Sequence, residues 1–344
     1  MIIGQIFGGH YRVINSLGKG GFGETYLAED IHLPDHPQRV LKLLNPDSDD
    51  PFVLQTARRL FETESKVLYE LGKNDRIPEL FSHFEENGDF YLVQELIVGH
   101  DLTQEITPGK CLREDQVLHL LHDILEVLSF VHQQGVIHRD IKPSNLMRRQ
   151  SDDKIVLIDF GAVKEIGSQL QNTQASTNQT IPIGTEGYMP SEQMNGHPKF
   201  ASDIYAVGML GIQALTGVSP EQLPKDPNTL EVIWRNRVSI NSNSAAVLDK
   251  MIRYRYQDRY QSAEATLQDI KGIIYASLSN TVVSNTPKFN LLNFISKLPL
   301  PAKLGMSAIS LGLVTITIMA VAANRFSPSP QPTASPEPTE KWKY

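Results

Sequence analysis

Four short groups of residues have the types and spacing that phosphate chemistry needs. The first, Gly18-Lys19-Gly20-Gly21-Phe22-Gly23, has the G-x-G-x-x-G spacing. Glycines in such a loop let backbone N–H groups approach a phosphate with no Cβ in the way. The loop lies between two strand-like runs and not at a strand-to-helix turn, so it reads as a hairpin and not as a dinucleotide fingerprint. The second group is Val40-Leu41-Lys42, an ammonium among apolar neighbours on the next strand. Glu62 and Glu64, on the helix that follows, are both candidates to hold it. The third is His138-Arg139-Asp140-Ile141-Lys142-Pro143-Ser144-Asn145, which gathers a carboxylate, an ammonium and an amide in one loop. The fourth is Asp159-Phe160-Gly161, behind the apolar run Ile155-Val156-Leu157-Ile158. Each group alone is a weak signal, and an isolated Asp-Phe-Gly means little. Their order along one chain carries the weight.

Positioning these groups takes a β-rich part and a helical part. Residues 11–17, 25–29 and 39–44 read as strands broken by glycines and prolines, and 90–96 as a further strand. A helix is expected over 52–71. Beyond about residue 113 helical patterns dominate, at 114–134, 202–216, 245–253 and 263–276. A β-rich lobe followed by a helical lobe predicts an α+β fold with a cleft between them. Composition agrees: 344 residues with 40% apolar and 21% charged side chains exclude wholesale disorder and a collagen-like or disulfide scaffold. The single cysteine, Cys111, forms no intramolecular disulfide and fits a reducing compartment. A net charge of −7 argues against general nucleic-acid binding. The first residues, Met1-Ile2-Ile3-Gly4-Gln5, lack a basic start followed by a long apolar run, so no secretory signal is read there.

Residues 304–323 are twenty in a row without charge, bracketed by Lys303 and Arg325. As a helix they span about 30 Å, the hydrocarbon thickness of a bilayer, and predict one transmembrane helix. Residues 326–344 hold five prolines in nineteen residues and read as an extended tail. The expected organisation is a folded domain over 10–275, a juxtamembrane linker over 276–303, the span at 304–323 and the Pro-rich tail at 324–344. Lys288, Lys297 and Lys303 on one side face Arg325, Lys341 and Lys343 on the other, so the charge rule does not set the orientation. Met306-Ser307-Ala308 and Gly312 offer small residues for packing one span on another.

The ordered motifs resemble those of eukaryotic-type (Hanks-type) serine/threonine protein kinases over roughly residues 10–275. Gly20-Gly21-Phe22-Gly23-Glu24-Thr25-Tyr26-Leu27-Ala28-Glu29-Asp30 is similar to the wording of membrane-attached bacterial members, particularly cyanobacterial ones. The resemblance implies a bilobal protein kinase fold, ATP and Mg²⁺ as cofactors, and protein serine and threonine hydroxyls as acceptors. It implies that Gly18, Lys19, Gly20, Gly21, Phe22 and Gly23 cover the ATP phosphates. Lys42 would pair with the α- and β-phosphates, held by Glu64, whose spacing to Leu68 matches the family's helix. Thr25 and Val40 would line the adenine pocket with Gln94, and Glu95 to Ile97 would form the hinge whose backbone meets adenine. Asp140 would accept the substrate hydroxyl's hydrogen bond, and Lys142 would stabilise the transferring phosphoryl. Asn145 and Asp159 would hold Mg²⁺ through hard oxygen ligands. His138 resembles the family's packing histidine, with no base chemistry. Thr185 would bond to Asp140 and Lys142, a pattern that with Lys142 implies serine/threonine acceptors. Asp203 would brace the catalytic-loop backbone, and Glu192 would pair with Arg259 in a buried bridge.

Three positions depart from the family pattern. Thr25 stands where valine is usual, Val40 where a smaller alanine is usual, and Pro190-Ser191-Glu192 where Ala-Pro-Glu is usual. None removes a catalytic group. The activation segment would run from Asp159 to Glu192. Within it, residues 167–180 have eleven Ser, Thr, Gln or Asn out of fourteen and no charge. A phosphate on Thr177 or Thr180 would order it through Arg139. Use of ATP implies a cytoplasmic catalytic domain on a single-pass protein of the plasma membrane or another bacterial inner membrane. A homodimer would serve autophosphorylation in trans. Two other classes compete. One is a pseudokinase, against which Lys42, Asp140, Asn145 and Asp159 all stand. The other is a membrane adaptor docking partners through Pro328, Pro330, Pro332, Pro336 and Pro338, on a tail that would face away from the cytoplasm.

Overall fold

Period-two alternation gives the first lobe a sheet with two unlike faces. In the computed structural model, which describes residues 2–20, 23–44, 51–161, 164–165 and 184–284, this sheet has six strands. They are β1 (Ile6–Phe7), β2 (Tyr11–Gly20), β3 (Gly23–Asp30), β4 (Gln38–Leu44), β5 (Leu80–Glu86) and β6 (Asp89–Glu95), antiparallel in the order β1-β2-β3-β4-β6-β5. One face carries Tyr11, Val13, Tyr26, Ala28, Leu41, Leu43, Tyr91 and Val93, which close a small core with Phe7. The registers Thr25↔Lys42, Leu27↔Val40, Lys42↔Leu92 and Val40↔Gln94 collect those six residues on the opposite face. The expected strands are all present, each within a few residues of its expected limits.

Helix α1 (Pro51–Leu71) begins on a proline, whose fixed φ suits a first helical turn. Its buried stripe includes Phe61, Glu64, Leu68 and Leu71, at the three-to-four spacing of one helix face. The second lobe follows as β7 (Gly99–Asp101), α2 (Glu114–Gln133), β8 (Val136–Ile137), β9 (Leu146–Arg149), β10 (Ile155–Leu157), β11 (Lys164–Glu165), α3 (Ser191–Met194), α4 (Phe200–Thr216), α5 (Ser242–Met251) and α6 (Ala263–Ser284). Strands β10, β9 and β7 form a small antiparallel sheet, and β11 pairs with β8. Helix α4 is buried on every side from Ala201 to Leu215, as a helix apolar all round must be. One continuous core joins Val67, Leu68 and Leu71 of α1 through Leu92 and Phe160 to Ile124 and Leu128 of α2 and Ile204 and Val207 of α4.

Strands β5 and β7 to β11 and the short helix α3 were not expected, and three further features differ from expectation. Strand β1 precedes residue 10 and extends the first sheet at its edge. Helix α5 starts at Ser242, because Asn241 caps it by accepting the Asn243 N–H at 2.8 Å. Helix α6 runs on to Ser284, past the expected limit of 276, since no glycine or proline interrupts residues 277–284. The chain divides into two units, Met1–Asn280 and Thr281–Tyr344, the second described only at the end of α6. The expected span at 304–323 and the tail at 324–344 lie outside the described residues, as do Gly21, Phe22, Thr177 and Thr180. Among the described residues no helix is long and apolar enough to cross a membrane.

Candidate active site

Lys42 reaches from β4 toward α1, and its Nζ donates to Glu64 Oε1 and to Asp159 Oδ1, each at 2.7 Å. Glu64 is there because it occupies the apolar stripe of α1; Glu62, two residues earlier, is exposed. Burial pushes the Glu64 carboxyl above the ordinary glutamate range, against the opposing pull of Lys42. Burial also works against the Lys42 ammonium, but the charges of Glu64 and Asp159 outweigh it and its pKa is raised. For Asp159, which keeps more contact with solvent, burial is outweighed by Lys42 and the pKa falls. Asp159 takes a left-handed φ of 66°, and the next residue, Phe160, is fully buried edge-on to His138 at 5.0 Å. Phe160 thus anchors the segment while Asp159 meets Lys42.

The loop after β8 is held mainly through its backbone. Asp203, near the start of α4, accepts the Arg139 N–H on Oδ1 at 2.8 Å and the His138 N–H on Oδ2 at 2.9 Å. His138 is fully buried, with Nδ1 accepting the Asp140 N–H at 3.3 Å and Nε2 donating to the Ile158 carbonyl at 3.2 Å. Both ring nitrogens are engaged, so the histidine packs and braces. The Asp140 carboxylate is fixed by three neighbours. Thr185 Oγ1 donates to Oδ1 at 2.7 Å, Asn145 Nδ2 donates to Oδ2 at 3.0 Å, and Lys142 Nζ lies 2.8 Å from Oδ2. Lys142 also donates to Thr185 Oγ1 at 2.8 Å. Asn145 Nδ2 donates in addition to the Asp140 carbonyl at 2.8 Å.

The glycine hairpin forms between β2 and β3, with Gly18 opposite Thr25, Lys19 opposite Glu24 and Gly20 opposite Gly23. Lys19 and Glu24 form an exposed ion pair at 2.9 Å. Gly23 has φ 148°, and a Cβ there would lie 1.9 Å from the Leu43 carbonyl oxygen, so only glycine fits. Thr25 and Val40 are half-buried on the cleft face of the sheet. Gln94 is buried beside them, Glu95 ends β6 with its N–H donated to the Glu79 carbonyl at 2.9 Å, and Ile97 is buried two residues on.

Further residues support the site. The expected bridge is present: Arg259 donates to Glu192 Oε1 at 2.6 Å and to Oε2 at 3.2 Å. Three backbone carbonyls, of Arg253, Ala201 and Tyr254, accept the remaining Arg259 hydrogens, and Ser202 Oγ donates to Glu192 at 2.7 Å. Arg139 is buried, yet its Nε and Nη2 have no hydrogen-bond partner among the described residues. Burial depresses its pKa, partly offset by Asp203. Sequence reasoning missed His132 and Gln193. His132 is a histidine inside the apolar run of α2 whose Nε2 lies 2.9 Å from Asp203 Oδ2, and its polarity amid leucines was the available signal. Gln193 donates to the Arg139 carbonyl at 2.6 Å, and nothing in the sequence marks it.

The family described as "Protein kinase domain" matches residues 11–270. Serine/threonine-protein kinase B of Synechocystis sp. is 44% identical over 266 residues, which cover 76% of this chain and 46% of that protein. Serine/threonine-protein kinase C of Synechocystis sp. is 42% identical over 78% of this chain and 50% of its own length. Serine/threonine-protein kinase PknA of Nostoc sp. is 41% identical over 78% of this chain and 48% of its own length. The chain therefore spans about half the length of these curated relatives. With that match covering both lobes, and with Lys42, Glu64, Asp140, Asn145 and Asp159 brought together as the motifs require, the chain belongs to the protein kinase domain family.

Proposed function

We propose that this chain is a serine/threonine protein kinase, transferring the γ-phosphoryl of ATP to hydroxyl groups of proteins. The observation that carries the reading is the Asp140 carboxylate held at once by Thr185, Asn145 and Lys142. Phosphoryl transfer asks for positioned groups and compensated charge more than for covalent chemistry. Asp140 accepts the acceptor hydroxyl's hydrogen bond and turns its oxygen toward the phosphorus. Lys142, 2.8 Å from that carboxylate, supplies positive charge where the phosphoryl group passes. Lys42, pre-charged between Glu64 and Asp159, meets the inner phosphates, and the glycine hairpin covers them from above. Thr25, Val40, Gln94, Glu95 and Ile97 frame the base, with the bulk of Val40 narrowing the pocket relative to an alanine.

A divalent magnesium ion suits the donor set. Asn145 turns its amide nitrogen to Asp140, leaving a hard amide oxygen, and Asp159 has a carboxylate oxygen beyond the one bonded to Lys42. The Ile158 N–H donates to the Asn145 carbonyl at 3.0 Å, which keeps the two backbones adjacent. When bound there, magnesium neutralises phosphate charge.

The buried guanidinium of Arg139, with two unpartnered nitrogens, favours regulation by a phosphate on the activation segment, at Thr177 or Thr180. Autophosphorylation in trans, in a homodimer, would supply it. Residues 304–323 would anchor the chain in a plasma or other inner membrane, with the catalytic domain cytoplasmic. The test is transfer from labelled ATP by the full chain in lipid, with Asp140→Asn as control and with phosphosite mapping. Label on serine and threonine in the wild type alone is the expected result, and it falls in Thr180→Ala or Thr177→Ala. ATP binding without any transfer would overturn the kinase reading.

A further inference from the structure

We infer that Gln193 is a positioning residue for the transfer step, setting the orientation of the Arg139–Asp140 peptide. The inference rests on the reading of Asp140 as the group that orients the acceptor hydroxyl. Arg139 has φ 74°, in the left-handed region that an L residue holds only when its surroundings impose it. Two hydrogen bonds impose it from opposite sides. Asp203 accepts the Arg139 N–H at 2.8 Å, and the Gln193 amide donates to the Arg139 carbonyl at 2.6 Å. Because the peptide is planar, fixing that carbonyl fixes the plane from which Asp140 departs, and with it the direction of the Asp140 side chain. Thr185, Asn145 and Lys142 hold the tip of Asp140, and Gln193 holds its root.

Gln193 is suited to this by its own anchorage. It is 2% exposed and follows Glu192 on α3, and the Glu192–Arg259 bridge ties that short helix to the chain beyond α5. The same amide also lies against the segment that carries Thr185. A Cβ on Gly184, whose φ is 145°, would come within 2.6 Å of Gln193 Nε2 and 3.2 Å of the Arg139 carbonyl oxygen. One amide therefore touches both backbones that converge on Asp140, the catalytic loop and the segment opposite it. The carbonyl is an acceptor only, so the contacting atom must be a donor, which assigns Nε2 to it. A carboxylate in that place would set lone pairs against lone pairs.

The test uses the full chain and two near-isosteric variants, Gln193→Glu and Gln193→Met, with kcat, KM for ATP and the melting temperature measured across mildly acidic to alkaline pH. At alkaline pH both variants should lose about tenfold or more in kcat with KM for ATP unchanged, the penalty expected of a misplaced catalytic group. As pH falls, Gln193→Glu should recover relative to wild type, because the protonated carboxyl can donate its O–H to the Arg139 carbonyl; Gln193→Met should not. The titratable and charged groups around the site, Arg139, Asp203, Glu192, Arg259, Asp140 and Lys142, are common to all three proteins and cancel in the ratio. A Gln193→Glu to wild-type ratio that stays flat with pH, at any level, would overturn the inference, as would wild-type kcat in Gln193→Met. Absence of transfer by the wild type would instead sink the reading of Asp140.

Discussion

At the scale of residues, the site depends on charges held against their environment. Glu64 and Asp159 both bond Lys42 at 2.7 Å, yet burial raises the first carboxyl and Lys42 lowers the second. The two should therefore separate on acidification. Glu64 takes up its proton above the ordinary glutamate value of about 4.3, and Lys42 then loses one of its two anchors. The acid limb of kcat/KM for ATP is expected above the ordinary carboxylate range, which a pH–rate profile of the wild type measures. Stability moves the other way for this group. A raised carboxyl pKa means that the folded state binds the proton first, so protonating Glu64 relieves its burial penalty as activity falls. The depressed Asp159 has the opposite sign: its contribution is full above the unfolded value near 3.9 and is lost as pH falls through the folded one. Activity should thus decline before the fold does, and coincidence of the two transitions would contradict the assignment. Much of this was legible in the sequence. Residue type left Glu62 and Glu64 equal; only the resemblance favoured Glu64, which the structure buries against Lys42 while Glu62 is exposed. Gln193 was not legible, because its partner is the carbonyl of a residue 54 positions away, and a backbone acceptor leaves no mark on the residue that supplies it.

At the scale of elements, legibility followed length. Helices α1 and α2 repeat their apolar period over several turns, α4 is apolar over nearly its whole length, and strands β2, β3, β4 and β6 alternate long enough to read. Strands β7 to β11 have two to four residues each, too few to show a period. Strand β5 alternates between half-buried and exposed positions with no fully buried residue, so its hydrophobic signal is faint. Short α3 is held where it is by ion pairing and not by propensity. Glu192 is 8% exposed, Arg259 is 3% exposed, and every visible hydrogen-bonding group of the pair has a partner. Breaking such a pair leaves a charge buried without compensation, at a cost of about 3–5 kcal/mol. Glu192→Gln should lower the unfolding free energy by that order, read from denaturant midpoints, and replacing both partners with apolar residues of similar volume should cost less than either single change. Because α3 carries Gln193, the same variant should also lower kcat in the molecules that remain folded.

At the scale of the whole molecule, the catalytic unit and its proposed anchor separate along the sequence. Met1–Asn280 forms one unit with a continuous core, and that core is complete before the uncharged stretch at 304–323 begins. Twenty uncharged residues match the bilayer in length, and the three basic residues on each side leave the direction of insertion to the site and not to the flanks. If ATP chemistry dictates that direction, the Pro-rich tail at 324–344 faces away from the nucleotide. The expected outcome is that the full chain floats with lipid vesicles, while a chain ending at Ser284, the last residue of α6, stays in the dense fraction and retains transfer to a generic protein acceptor. In spheroplasts, external protease should trim the tail and leave residues 1–303 intact. Protection of the tail inside would reverse the orientation argument and revive docking through its prolines. Flotation of the chain ending at Ser284 would place the membrane contact on the catalytic unit itself. An anchor that only localises should leave kcat per molecule equal in both chains at saturating ATP. An anchor that also pairs two chains should raise the rate of autophosphorylation steeply with surface density, because in-plane confinement raises the effective concentration of one active site toward the activation segment of another.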